Sequence, residues 1–171
     1  YTGNVSLNDT GSVAATDIST IAGDTSGTVT YSGNVNITGT SAAIATAVGV
    51  VDTFSGTPTA ALGDAHTLAQ LKTINDAISG QLTLTDYSVA LSGTSAQVAA
   101  ALDGTFASTY TGTAAVSDAH TLAQLKTIND GTSGTITLTD YTVALSGSSA
   151  DVAAALDGTF AAPYTGTATV N

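Results

Sequence analysis

His66 and His120 are the only histidines in the chain, and no other side chain in it ordinarily titrates near neutral pH to serve as a general base or zinc ligand. They hold one position in two copies of the same segment, Asp64-Ala-His-Thr-Leu-Ala-Gln-Leu-Lys-Thr-Ile-Asn-Asp76 and Asp118-Ala-His-Thr-Leu-Ala-Gln-Leu-Lys-Thr-Ile-Asn-Asp130. Catalysis would need a nucleophile or second ligand at a suitable spacing, and neither His-x-x-x-His nor a His-Asp-Ser grouping occurs. Both are therefore expected to face solvent in a first helical turn, and no residue is assigned a catalytic, cofactor-binding or metal role.

Asp recurs in pairs at the repeat spacing: Asp64 and Asp118, Asp76 and Asp130, Asp86 and Asp140, Asp103 and Asp157. Carboxylates aligned by stacking could hold calcium, which takes oxygen ligands, and a weak calcium site is kept as an alternative. The bland role is local: Asp64 and Asp118 precede a helix, and the others fall in turns where an Asp side chain bonds its own backbone. No calcium-loop or Gly-Gly-x-Gly-x-Asp pattern is present, and no cofactor is expected. Thr28-Val-Thr30, Thr83-Leu-Thr85, Thr137-Leu-Thr139 and Thr167-Ala-Thr169 would make an ice-binding-like ladder if stacked in register, but Thr is also a good residue for the wet side of a strand. Tyr87, Tyr110, Tyr141 and Tyr164 could stack on sugars; anchoring strand ends is the commoner use of such rings.

Composition removes whole classes of function. All 13 acidic residues are Asp, Arg is absent, and Lys72 and Lys126 are the only cationic side chains, so the formal charge is −11 and phosphate-tracking nucleic-acid binding is excluded. Cys, Met and Trp are absent, which excludes disulfides, thiolate metal sites and cysteine nucleophiles. With 43% apolar and 9% charged residues, a folded chain is expected, and no apolar run reaches the ~20 residues of a membrane span.

The match between the two segments continues to the end of the chain. Ser79-Gly-Gln-Leu-Thr-Leu-Thr-Asp-Tyr87 falls on Ser133-Gly-Thr-Ile-Thr-Leu-Thr-Asp-Tyr141, and Val98-Ala-Ala-Ala-Leu-Asp-Gly-Thr-Phe106 on Val152-Ala-Ala-Ala-Leu-Asp-Gly-Thr-Phe160. A diverged copy occupies the first third, where Thr25-Ser-Gly-Thr-Val-Thr30 matches Thr132-Ser-Gly-Thr-Ile-Thr137. The period is about 54 residues, and the units are 1–63, 64–117 and 118–171. Because Tyr1-Thr-Gly resembles the closing Tyr164-Thr-Gly, the chain is expected to be cut from a longer array.

Within a unit the apolar spacing switches between helix and strand. Leu122, Leu125 and Ile128 recur at helical spacing, Thr121 with Gln124 has the capping-box form, and Gly131 and Gly134 are expected to stop that helix. Thr135–Thr139, Tyr141–Leu145 and Tyr164–Val170 alternate as strands, and Ser148–Leu156 reads as a second, Ala-rich helix. The resulting order is helix, strand, strand, helix, strand. Ala helices and Thr strands bury little area at roughly 25 cal/mol per Å², so each unit needs its neighbours. The expected fold is α/β: tandem repeats stacked as an elongated, solenoid-like array in which equivalent strands of successive units line up. Leu122, Leu125, Ile128, Ile136, Leu138, Val143, Leu145, Val152 and Leu156 are the expected core of the last unit.

The succession Thr-Leu-Ala-Gln-Leu-Lys-Thr-Ile, Thr-Ser-Gly-Thr-Ile-Thr and Val-Ala-Leu-Ser-Gly-Ser-Ser-Ala-Asp-Val resembles tandem repeats of very large secreted and cell-surface proteins of bacteria, of adhesin or surface-layer kind, with marine cyanobacterial surface proteins as the comparison. The resemblance implies an extracellular structural or adhesive role without shared catalytic residues. It covers the whole chain, loosely in the first unit, where Asp9–Asp17 departs from the helix pattern. The expected partners are neighbouring repeats of the same protein. Outer strand edges at the two ends would also pair with another chain, favouring end-to-end self-association near the acidic pI.

Overall fold

The computed structural model describes all 171 residues. Six helices form where the sequence places a Ser/Thr cap or an apolar stripe: α1 (Ala15–Gly23), α2 (Ser41–Val50), α3 (Leu68–Ala77), α4 (Ser95–Leu102), α5 (Leu122–Gly131) and α6 (Ser149–Leu156). Capping boxes open three of them, Thr67 with Gln70, Thr94 with Gln97 and Thr121 with Gln124, each satisfying two backbone N–H groups that would otherwise lack partners. Thirteen short strands lie between the helices, and every pairing is parallel.

The chain divides into two compact units, Tyr1–Asp86 with Gly104–Ala107, and Tyr87–Asp103 with Ser108–Asn171. In the first, β1 (Val5–Leu7), β3 (Val29–Tyr31) and β5 (Thr53–Phe54) form one sheet. A second sheet has the order β2-β4-β6-β7-β9, from β2 (Gly11–Ala14), β4 (Val35–Gly39), β6 (Thr59–Leu62), β7 (Gln81–Thr83) and β9 (Thr105–Phe106). Helix α2 packs against both α1 and α3. In the other unit, β8 (Leu91–Gly93), β10 (Ala114–Val116) and β11 (Ile136–Leu138) make a sheet extended by a bridge from Ile136 to Phe160. Its β12 (Leu145–Gly147) pairs with β13 (Ala168–Val170), and α5 packs against both α4 and α6.

Parallel pairing follows from the helices, since a strand can meet its neighbour in the same direction only after a crossover of a dozen or more residues. Each paired strand is accordingly separated from its partner by a single helix, as β10 is from β11 by α5 and β7 from β9 by α4. This corrects the expectation that equivalent strands line up. Ala114 lies between Leu91 and Ile136, which differ from it in repeat position, and not beside its own copies Ala60 and Ala168. A repeat carries two helices, so the chain returns to the sheet halfway through it, and the strand that arrives first is never the copy.

Element boundaries shift for local reasons. Tyr141–Val143 form a turn, because the Asp140 carboxylate accepts hydrogen bonds from Thr142 N at 2.7 Å and Thr142 Oγ1 at 2.6 Å, leaving β12 to begin at Leu145. Tyr164–Thr167 are likewise outside a strand, and the diverged segment after Asp9 forms β2 before α1. Gly131 belongs to α5, and Gly134 has a different task from stopping it. A Cβ on Gly134 would lie 2.3 Å from Gly112 O, so the close approach of two backbone turns requires glycine there. Of the nine core residues expected in the last repeat, Leu125, Ile128, Ile136, Leu138, Leu145 and Val152 are buried, while Leu122, Val143 and Leu156 are half-buried.

Candidate functional site

Two of the pairs singled out for chemistry, Asp64 with Asp118 and His66 with His120, lie in the segments just ahead of α3 and α5. Asp118 does not cap the helix that follows it. Its Oδ1 accepts a hydrogen bond from Ser95 N, the first residue of α4, at 2.6 Å, while Ser95 Oγ donates to Ala119 O at 3.4 Å and to Gln124 Oε1 at 3.2 Å. Asp64 repeats the arrangement in the first unit: Oδ1 accepts from Ser41 N at 2.6 Å and Ser41 Oγ at 2.8 Å, and Ser41 Oγ also bonds Ala65 O at 3.0 Å. Those bonds from Ser41 hold the Asp64 carboxyl below the usual carboxylate range. Each Asp therefore ties a loop to the N-terminus of the preceding helix. Ser41 and Ser95, both buried, were not singled out from the sequence, although the doublets Thr40-Ser41 and Thr94-Ser95 stand at the same distance before their Asp.

The expectation of solvent-facing histidines is overturned. His66 is 3% exposed and His120 4%, because the residue before the N-cap points back under the helix it introduces, the place where an apolar side chain often packs. Burial depresses both histidine pKa values, against the opposing fields of Asp86 and Asp64 on His66 and of Asp140 and Asp118 on His120. His120 Nε2 lies 3.0 Å from Tyr164 Oη, the two rings meeting edge-on, and Tyr164 Oη donates to Val143 O at 2.6 Å. A phenol carries one proton, here committed to the carbonyl, so His120 is the donor to Tyr164 and its neutral ring carries the proton on Nε2. Burial, followed by the nearby Asp140 charge, raises the Tyr164 pKa.

Tyr110, Tyr141 and Tyr31 also fasten chain near strand ends. Tyr110 is buried and donates to Val89 O at 2.7 Å, while Tyr141 Oη accepts from Leu138 N at 3.1 Å. Tyr31 Oη donates to Asp9 Oδ2 at 3.0 Å, and burial with that contact pushes its pKa up to about 12. Asp76 and Asp130 pair with Lys72 and Lys126 one turn back on α3 and α5. The Thr-x-Thr strands do not stack on one another: Thr137 stands beside Ala115, itself beside Ser92, Thr83 stands beside Ala61, and Thr30 lies between Ser6 and Thr53. The polar groups are thus used in caps, turns and strand ends. No helix is long and apolar enough to cross a membrane. Compared with known proteins, the chain matches no family model, no curated protein and no solved structure.

Proposed function

We propose that the chain is a non-enzymatic structural segment of a large bacterial cell-surface or secreted protein, an adhesin stalk, fibre or surface layer, in which copies of the repeat supply length and surface. The observation that carries this reading is the parallel pairing of each strand with a partner one helix away in the chain, since the same helix-and-strand step recurs through all four sheets. On this reading successive repeats stack in a solenoid-like array, and the partners of a repeat are its neighbours in the same protein. The role of the titratable groups supports it: Asp64 and Asp118 fasten helix N-termini, Asp140 closes a turn, and His120 braces Tyr164. An acidic composition without Cys or Met suits an exposed extracellular polymer.

Antibodies against the chain, applied to intact cells that produce it, should label the surface, and protease added outside should remove the label. Signal only after the cells are opened would refute the location. Inserting a further copy of 118–171 should lengthen the particle in small-angle scattering and raise the urea midpoint. An unchanged midpoint would refute stacking.

A further inference from the structure

We infer that the segment Asp118–Thr121 is an acid-sensitive latch, in which neutral His120 holds the chain that leads into β13 and protonated His120 releases it. The latch is built from three fastenings on one short loop. Asp118 and Ala119 bind Ser95 at the start of α4, Thr121 begins the capping box of α5, and His120 between them reaches Tyr164, four residues before β13. Tyr164 in turn holds Val143, two residues before β12, the strand with which β13 pairs.

The sign of the response follows from proton bookkeeping. With Nε2–H given to Tyr164, the other ring nitrogen of neutral His120 is a bare acceptor. His120 Nδ1 is buried and has no hydrogen-bond partner. Protonation would add a donor N–H and a full charge there, and an unsatisfied buried donor costs more than an idle acceptor lone pair. Three titratable groups face the ring from the surrounding elements: Asp118 on its own loop, Asp140 from the turn between β11 and β12, and Tyr164. The phenol is already a donor to Val143 O, and the two carboxylates attract the imidazolium without bonding it. Asp118 Oδ1 is engaged by Ser95 N, and Asp140 Oδ1 by Thr142. An imidazolium therefore gains by turning out toward water and these carboxylates, and that movement breaks the contact with Tyr164.

The test is amide hydrogen exchange on the whole chain, corrected for intrinsic rates, between pH 7.5 and 5, read at Leu145 N, bonded to Thr167 O, and Asn171 N, bonded to Gly147 O. Opening coupled to uptake of one proton lowers protection by up to about tenfold per pH unit below about 6.5. In His120→Gln, which cannot titrate, protection at the same amides should not fall across this range. A parallel loss in the two proteins would overturn the latch. Should His120→Gln fail to fold, nitrogen shifts of the His120 ring in the native chain decide: a ring on the Nε2–H tautomer that protonates only as those amides lose protection supports it, and protonation with the amides still protected overturns it.

Discussion

Leu125→Ala probes the packing that holds the second compact unit together. Leu125 is 0% exposed on α5, the helix that touches both α4 and α6, so the site is enclosed by neighbours on two sides. Truncation removes three carbons, worth about 0.8 kcal/mol each in transfer, and leaves a cavity that helices fastened at both ends cannot collapse to fill. The expected loss is therefore about 3–5 kcal/mol, a large part of the roughly 5–15 kcal/mol typical of a folded domain. Urea unfolding followed by far-UV circular dichroism reads it as a lower midpoint with unchanged slope. Leu122→Ala, at a half-buried position on the same helix, controls for helix propensity and should cost clearly less. The decisive failure is a Leu125→Ala loss below about 1 kcal/mol, or one equal to that of Leu122→Ala, since neither is compatible with a closed site.

Thr121→Ala removes the capping box of α5 and should cost about 0.5–2 kcal/mol in the same assay, with Thr121→Ser restoring most of it; no loss would mean that water caps the helix equally well. Gly134→Ala should destabilise by about 1–3 kcal/mol because the opposing group is the backbone carbonyl of Gly112, which cannot rotate aside, and a neutral result would refute the close approach. The pH dependence should run in one direction. His66 and His120 have folded pKa values below their unfolded ones, so their stabilisation is complete above about pH 6.5 and declines as the pH falls towards the folded values, by at most about 1.4 kcal/mol per unit for each. A second decline belongs to Asp64 and Asp140, whose hydrogen bonds are lost only when the pH falls below the ordinary carboxylate range. A urea midpoint that rises between pH 7 and 5 would contradict the histidine assignment.

Much of the local structure is legible in the sequence because its causes are local. The capping box at Thr121 and Gln124, the Ser148 cap of α6 and the helical spacing of Leu125 and Ile128 involve atoms within a turn of one another. The repeat is a property of the sequence alone, and with it came the order of helices and strands except for the short β9, Thr105–Phe106, which the expected order lacks. Tertiary structure decided what meets what. Self-comparison finds residues that are alike, whereas sheets join strands that are near, so Ala114 pairs with Ile136 at a distance set by the reach of one helix. For the same reason Gly134 looked like a helix stop, since the carbonyl that forbids a Cβ there belongs to Gly112, in the preceding turn of chain. His120 shows the limit most clearly. Its position just before an N-cap was readable, but exposure depends on what covers that position, and Tyr164, far along the chain, together with burial by the surrounding residues, makes a titratable surface residue into a neutral brace.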